Sequence, residues 1–315
     1  MPRVSIIIPT FDCGGFIERT LNSVLAQSFR DYEIIVLDDG STDGTREVLA
    51  PWIDRINYFY QPNGGLAHAR NVAISRSRGE LLAYLDADDL WHPHKLQHQV
   101  EFMDSHPECG LLHTELTIID DEDRIIMDRW YASSGHVPAR GARLIDFIHY
   151  NNMQVPSVME RRECFERVGG FDERFRRLED YLHWLRVVLQ GHSVGYIDEP
   201  LALYRRRSGS LSRNQAAMNQ ALIDMFRVLM EEHGLRERLD EAAAAAVQRR
   251  VDTARRSLPY HLRQDGREDL ARRECWGLIR SSPYELAPYL ELVKSCIPNA
   301  FVRAVRESLA SVSGR

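Results

Sequence analysis

Short apolar runs that stop abruptly at polar clusters recur in the first third of the chain. The runs and the clusters that follow them are residues 4–8 with 9–12, 33–37 with 38–43, and 81–85 with 86–89. Near-continuous apolar runs of this length are typical of strands buried on both faces of a parallel sheet. Helical patterns lie between the runs, so the alternation predicts an α/β protein: a mostly parallel sheet with right-handed crossovers, flanked by helices.

The polar clusters are expected to lie together. In such sheets ligands bind outside the carboxyl ends of the strands. Asp86 and Asp88 alternate along an extended segment and can point to the same side, where two carboxylates favour a divalent cation whose shell a phosphate can complete. A solvated loop after a buried strand is the alternative for this stretch taken by itself.

Several classes of protein are disfavoured. No Gly-x-Gly-x-x-Gly follows the first strand and no Walker lysine motif occurs, which weakens the NAD-binding and P-loop interpretations. The five cysteines are scattered without a Cys-x-x-Cys, which argues against a disulfide framework or a cysteine zinc site. No apolar run approaches the roughly 18 residues that a membrane span needs.

The composition changes from about residue 214, where Ala, Leu, Glu and Arg dominate with helical periodicity. We predict two domains, residues 1–212 and 213–315, the second made of four or five helices. Two short strands, 193–197 and 201–205, are expected near the end of the first. Breaks between the C-terminal helices are expected near Gly234, Pro259, Gly266, Pro283 and Pro298.

Charge is distributed unevenly between the two parts. Residues 1–200 carry 20 Lys and Arg against 32 Asp and Glu, whereas residues 201–315 carry 20 against 14. A basic C-terminal region favours an anionic partner, such as a membrane surface or a phosphate-bearing ligand. The alternative is a solvated helical region with mixed charges.

Five blocks of sequence together resemble glycosyltransferase family two, the nucleotide-sugar-dependent transferases with the GT-A fold. The blocks are residues 5–12, 38–45, 64–71, 85–89 and 168–184. The resemblance covers roughly residues 1–212. It implies a GT-A sheet with a nucleotide-binding half at about 1–105, an acceptor half at about 106–212 and a helical C-terminal appendage.

The resemblance also implies residue roles. Thr10 and Asp39 would contact the nucleoside, Asp39 through the base edge, and Asp86 would contact the ribose or sugar. Asp88 would ligate Mg²⁺ or Mn²⁺, and Asp180 would be the catalytic base, with a helix cap as its alternative role. The predicted donor-binding residues are Pro9, Thr10, Phe11, Asp12, Asp39, Arg70, Asp86, Asp88 and Arg207.

One departure from the family pattern concerns an arginine. Many members have Tyr-Arg-x-His-x-x-Ser-x-Ser after the last strand, with the histidine near the metal. Residues 204–212 place Arg207 at the position of that histidine. A guanidinium cannot bind a metal, but it could hold the diphosphate, as Arg70 is also expected to help hold the nucleotide.

The predicted function is that of an inverting glycosyltransferase. It would move sugar from a UDP-, GDP- or dTDP-sugar to a hydroxyl of a carbohydrate or lipid-linked acceptor, in polysaccharide or glycoconjugate biosynthesis. The alternatives are a non-catalytic sugar-nucleotide-binding protein of the same fold and a nucleotidyltransferase, which would need a glycine-rich basic loop after the first strand. We expect a cytoplasmic protein, free or held at the inner face of the membrane by its basic region, without a nucleic acid partner.

Overall fold

The computed structural model describes residues 1–207 and 209–296, which form one mixed sheet and thirteen α-helices. The strands are β1 (Val4–Thr10), β2 (Tyr32–Asp38), β3 (Asn57–Tyr60), β4 (Leu81–Tyr84), β5 (Leu90–Trp91), β6 (Cys109–Ile119), β7 (Ile125–Met127), β8 (Met159–Arg161) and β9 (Ser193–Arg205). The helices are α1 (Ile17–Leu25), α2 (Thr45–Leu49), α3 (Leu66–Ser75), α4 (Lys95–Ser105), α5 (Trp130–Ser134), α6 (Leu144–Ile148), α7 (Arg162–Val168), α8 (Glu179–Leu189), α9 (Gln215–Glu232), α10 (Leu235–Arg238), α11 (Glu241–Gln264), α12 (Glu268–Ser281) and α13 (Leu286–Ser295).

The sheet has the order β3-β2-β1-β4-β8-β6-β9-β5, and β7 pairs with β6 outside this path. The pairs β3–β2, β2–β1, β1–β4 and β6–β9 are parallel. The pairs β4–β8, β8–β6, β6–β7 and β9–β5 are antiparallel. The predicted α/β architecture is confirmed, with an antiparallel section beside the parallel one.

The first strands form where the apolar runs predicted them, because both faces of this part of the sheet are covered. Every residue of β1 and of β4 is buried. Their side chains join one core cluster that includes Ile6, Ile8, Leu81 and Ala83, with α1 adding Leu21. This covered, parallel section leaves its carboxyl edge free to carry the polar loops.

Residues 193–205 form one strand, β9, where two were predicted. The pairing of β9 with β6 continues past Pro200 because irregularities in register around Glu115 accommodate the extra residues. A β-bulge absorbs additional residues without ending a strand.

The predicted break at Pro259 is also wrong, because Pro259 lies inside α11. Proline removes a hydrogen bond from a helix interior and costs about 3 kcal/mol. On either side of it, Leu258 and Leu262 are buried in a cluster with Ala216 and Ala271. Packing on both sides therefore keeps the helix continuous. The predicted break at Pro298 lies outside the described residues.

The chain divides into two compact units. The first contains residues 1–210 and 229–243, and the second contains 211–228 and the residues from 244 onwards. The domain boundary predicted after residue 212 stays a prediction. Among the helices of the described part of the chain, none combines the length and the apolar character needed to cross a membrane.

Candidate active site

The three polar clusters meet at the carboxyl edge of the sheet, because β2, β1 and β4 are consecutive in it. Hydrogen bonds tie the first two clusters together. The amide of Asp12 donates to Ser41 Oγ (3.0 Å), and Asp12 Oδ1 accepts from the amide of Thr42 (2.7 Å). Asp43 Oδ2 accepts from the amide of Gly14 (2.9 Å). The loops after β1 and β2 therefore form one wall.

Asp39 fixes the loop that leads into α3. Its Oδ1 accepts from Gln61 Nε2 (2.7 Å) and from the amide of Gly64 (2.8 Å), and its Oδ2 accepts from the amide of Gly65 (2.8 Å). Beside it, the Thr10 hydroxyl is buried and has no hydrogen-bond partner among the described residues, which is rare for a buried polar group.

Arg70 connects the acidic cluster after β4 with the start of α8. Its Nη2 lies 2.8 Å from Asp86 Oδ1 and its Nη1 lies 2.6 Å from Glu179 Oε1, while the arginine itself is 1% exposed. Burial alone would lower the pKa of Arg70, but the two carboxylates raise it, so the guanidinium stays charged. A buried cation between two carboxylates is a rigid link.

The loop before α8 is held against α3 by an asparagine. Asn71 Oδ1 accepts from the amide of Phe171, and Asn71 Nδ2 donates to the carbonyl of Phe171, both at 2.9 Å. Gly170 has a φ of +79°, and a Cβ there would lie 2.9 Å from Asn71 Oδ1. A glycine is therefore required at this close approach. The approach brings the Phe171 ring beneath the Arg70 guanidinium, whose carbon lies 5.5 Å from the centroid of the ring.

Asp180 lies in the first turn of α8, next to the Arg70 link. Its Oδ2 accepts from Asn151 Nδ2 (3.0 Å), and its Oδ1 accepts from the amide of Tyr181 (2.7 Å). Burial and then the neighbouring Glu179 raise the pKa of Asp180 to about 7, although Arg70 lowers it. A carboxylate whose pKa lies near neutrality can accept a proton at physiological pH.

Asp88 and Asp89 each meet an arginine of the segment that ends β9. Asp88 Oδ2 lies 3.2 Å from Arg207 Nη1. Asp89 Oδ1 accepts from the amide of Arg205 (2.7 Å), whereas its Oδ2 is buried without a partner in the described part of the chain. Burial, then the neighbouring Asp86, raises the pKa of Asp88, against the effect of Arg207.

Carboxylate oxygens are the ligands that Mg²⁺ and Mn²⁺ prefer, so the acidic cluster has suitable chemistry for such an ion. Within residues 1–207 and 209–296, however, no three His, Cys, Asp or Glu side chains are grouped closely enough to hold a metal. The role of Asp88 as a ligand of such an ion stays a prediction.

A model described as Glycosyl transferase family 2 matches residues 5–169, which is more than half of the chain. This chain belongs to glycosyl transferase family 2.

Two relatives extend the match beyond that region. A glycosyltransferase of Nostoc sp. described as uncharacterised is 30% identical over 305 residues, covering 88% of this chain and 87% of the relative. A putative teichuronic acid biosynthesis glycosyltransferase of Bacillus subtilis is 34% identical over 218 residues, covering 68% of this chain and 83% of the relative.

Two solved structures share the architecture of this family 2 member. Staphylococcus aureus TarS 1–349 in complex with UDP gives a TM-score of 0.58 at 19% identity, covering 82% of this chain and 70% of that one. A mannosyltransferase of Pyrobaculum calidifontis in complex with GDP-Man and Mn²⁺ gives 0.60 at 18% identity, covering 94% and 80%. The predicted GT-A fold is confirmed.

The structure brings the predicted site residues of this glycosyltransferase to one edge of the sheet. For Pro9 and for Phe11, which is 48% exposed, no contact with another described residue identifies a role. The individual ligand contacts of these residues stay predictions. We predict that Asp39 and Arg70 contact the donor, and in the structure both carboxylate oxygens of Asp39 and both Nη atoms of Arg70 already bind protein groups.

Sequence reasoning missed two residues of the family 2 site. Asn151, which binds Asp180, lies in a stretch without clear periodicity, so no signal indicated it. Arg205 donates from Nε to the carbonyl of Asp88 (2.6 Å) and pairs with Asp123. The run of three arginines that begins at the last residue of β9 could have indicated Arg205, but not its partner Asp123 in the turn between β6 and β7.

Proposed function

We propose that this family 2 enzyme transfers a sugar from a nucleoside-diphosphate sugar to an acceptor hydroxyl, with inversion at the anomeric carbon. The observation that carries the proposal is the Arg70 link. It joins Asp86, in the acidic cluster expected to face the donor, to Glu179, the neighbour of Asp180. The donor side and the proposed base are thereby held at one place.

In the proposed reaction, Asp180 accepts the proton of the acceptor hydroxyl. The acceptor oxygen forms a bond to the anomeric carbon as the bond from that carbon to the phosphate oxygen breaks, and the nucleoside diphosphate leaves with the electron pair. A positioned base of this kind contributes roughly 10²–10⁴-fold to a rate. The hydrogen bond from Asn151 orients the Asp180 carboxylate for this step.

The leaving diphosphate gains negative charge, which must be stabilised. When bound, Mg²⁺ or Mn²⁺ supplies a Lewis acid for that charge. Asp88 would hold the ion together with donor oxygens, and Arg207 would add a second positive charge. The mannosyltransferase structure with GDP-Man and Mn²⁺ and the TarS structures with UDP and UDP-GlcNAc support this kind of donor.

A screen of UDP-, GDP- and dTDP-sugars tests the reaction class. We expect transfer or hydrolysis from one of them, dependent on Mg²⁺ or Mn²⁺ and lost in Asp88→Asn. Full activity in excess chelator would remove the cation assignment. Binding of a donor by the intact protein without any turnover, across metals and acceptors, would favour the non-catalytic alternative.

We further propose that the acceptor is a carbohydrate or lipid-linked glycan in polysaccharide assembly, in the cytoplasm. The similarity to the putative teichuronic acid biosynthesis glycosyltransferase of Bacillus subtilis supports this. Residues 1–212 would carry catalysis, and the helices of 213–315 would serve a separate role.

That separate role is proposed to be peripheral contact with the inner face of the membrane. Leu286, Leu290 and Val293 are exposed at helical spacing on α13, whereas Pro288 and Ser295 on its other side are buried. An amphipathic helix with its apolar face in water is typical of an interfacial element.

Aromatic and basic residues accompany this apolar face. Trp276 of α12 is 51% exposed, and the spacing of Arg273 and Arg280 places them on its side of the helix. Sedimentation with vesicles tests the proposal. We expect the protein to bind phosphatidylglycerol vesicles more than phosphatidylcholine vesicles, and Leu290→Glu to bind them less than the wild type does. Leu270→Glu, at a partly buried position, tests the effect of a general disruption of the fold. Equal sedimentation with both lipids would refute it.

A further inference from the structure

We propose that Arg207 occupies Asp88 as its counter-cation until the donor arrives, so that the divalent cation and the nucleotide bind this enzyme together rather than separately. The inference rests on the proposed function, in which Asp88 holds the cation. It adds that the free enzyme excludes the cation, and that one residue of this chain determines this.

The three carboxylates after β4 each have a partner that favours their present arrangement. Asp86 Oδ1 binds Arg70, Asp88 Oδ2 binds Arg207, and Asp89 Oδ1 binds the amide of Arg205. A cation that arrives alone must therefore compete with a guanidinium at Asp88. In the described residues it also lacks a set of three protein ligands.

Arg70 and Arg207 differ in how easily they can move. Arg70 is 1% exposed and bound to two carboxylates, at 2.6 and 2.8 Å. The Arg207 side chain is 31% exposed, and within the described part of the chain it has one carboxylate contact, at 3.2 Å. A single contact near solvent is weak, so Arg207 can release Asp88 at low cost, whereas Arg70 cannot leave its buried position.

Contacts with Phe16 and Cys13 would hold Arg207 close to the site after it releases Asp88. Its guanidinium lies 4.4 Å from the centroid of the Phe16 ring, and its Nη1 lies 3.7 Å from Cys13 Sγ. Neither contact uses a carboxylate. The aromatic face can keep the guanidinium at the edge of the site while its donors turn to the diphosphate, whose oxygens suit bidentate binding.

Titration of the metal-stripped protein with Mn²⁺ alone, followed by electron paramagnetic resonance, tests this. We expect the wild type to bind Mn²⁺ alone weakly. Its affinity for Mn²⁺ should increase about fivefold or more in the presence of saturating UDP, GDP or dTDP, whichever of them binds. A change of this size is in the range of ordinary coupling between ligands. Arg207→Ala should bind Mn²⁺ alone about fivefold or more tightly than the wild type, and should lose much of the coupling.

Two further variants complete the experiment. Arg207→Lys keeps a charge and should keep most of the exclusion of Mn²⁺. Arg206→Ala removes the exposed neighbouring arginine and should behave as wild type. Thermal melts of each variant show that the fold is retained.

The outcomes separate the inference from the proposed function. Equal affinity of wild type and Arg207→Ala for Mn²⁺ alone overturns the inference, as does an equal gain of affinity in Arg206→Ala. If Asp88→Asn instead binds Mn²⁺ with nucleotide as tightly as wild type does, the assignment of Asp88 as the cation ligand fails.

Discussion

The two sides of the acidic cluster after β4 are held by arginines in opposite ways. On one side, Arg70 is buried between Asp86 and Glu179. On the other side, Arg207 is partly exposed, and among the described carboxylates it contacts Asp88 alone. The buried side behaves as part of the protein core and fixes the helix that carries Asp180. We propose that the exposed side exchanges its partner for a ligand.

The largest expected effect concerns the buried side. Arg70→Ala should destabilise the protein by about 3–5 kcal/mol, because it leaves the buried Glu179 without its counter-charge. The free energy of unfolding in urea measures this. Arg76→Ala, at the exposed position that directly follows α3, is the control and should change stability by less than about 1 kcal/mol. A loss as small as that for Arg70→Ala would contradict the distinction between the two sides.

The next effect concerns Asp180, the proposed base, which lies beside the buried side. Protonation abolishes the ability of Asp180 to accept a proton, so kcat/KM should rise with pH around a midpoint near its pKa of about 7. At pH 5.5 the value should be about thirtyfold below its plateau, as expected for one essential base. A profile that is flat from pH 5.5 to 7.5 would contradict this role.

Asn151 sharpens this prediction. Its hydrogen bond lowers the pKa of Asp180, opposing the effect of burial. Asn151→Ala should therefore move the midpoint of the profile to higher pH, whereas a change that only disturbed packing would lower the plateau and leave the midpoint in place.

The smallest effect on stability is expected on the exposed side. Arg207→Ala should change the free energy of unfolding by less than about 1 kcal/mol, because a single partly exposed ion pair contributes little. Urea unfolding under the conditions used for Arg70→Ala gives the comparison directly. A loss of several kcal/mol would show that Arg207 is a structural residue as well.

Some contacts of the site can be predicted from the sequence and others cannot, depending on the kind of contact. The loops after β1, β2 and β4 are predictable because parallel strands bring their carboxyl ends to one edge. The Arg70–Glu179 pair joins residues 109 positions apart on two helices, and no local pattern encodes it. The same holds for Asn151, whose position depends on the packing of an aperiodic stretch.

The errors in the fold have a related cause. Proline is disfavoured inside a helix or a strand, yet Pro259 lies within α11 and Pro200 within β9. In the structure, buried leucines on both sides of Pro259 and the irregular pairing at Pro200 outweigh those preferences. Tertiary packing decides such positions, and a single sequence does not display it.

The central claim is that Asp180 is the base of a glycosyl transfer at this site, and Asp180→Asn tests it most directly. Titration with the donor sugar nucleotide should give an affinity close to that of wild type, while transfer falls by roughly 10²–10⁴-fold. Asp31→Asn, which changes an exposed carboxylate, should transfer as wild type does. An Asp180→Asn protein that binds donor and transfers sugar at the wild-type rate would contradict the account.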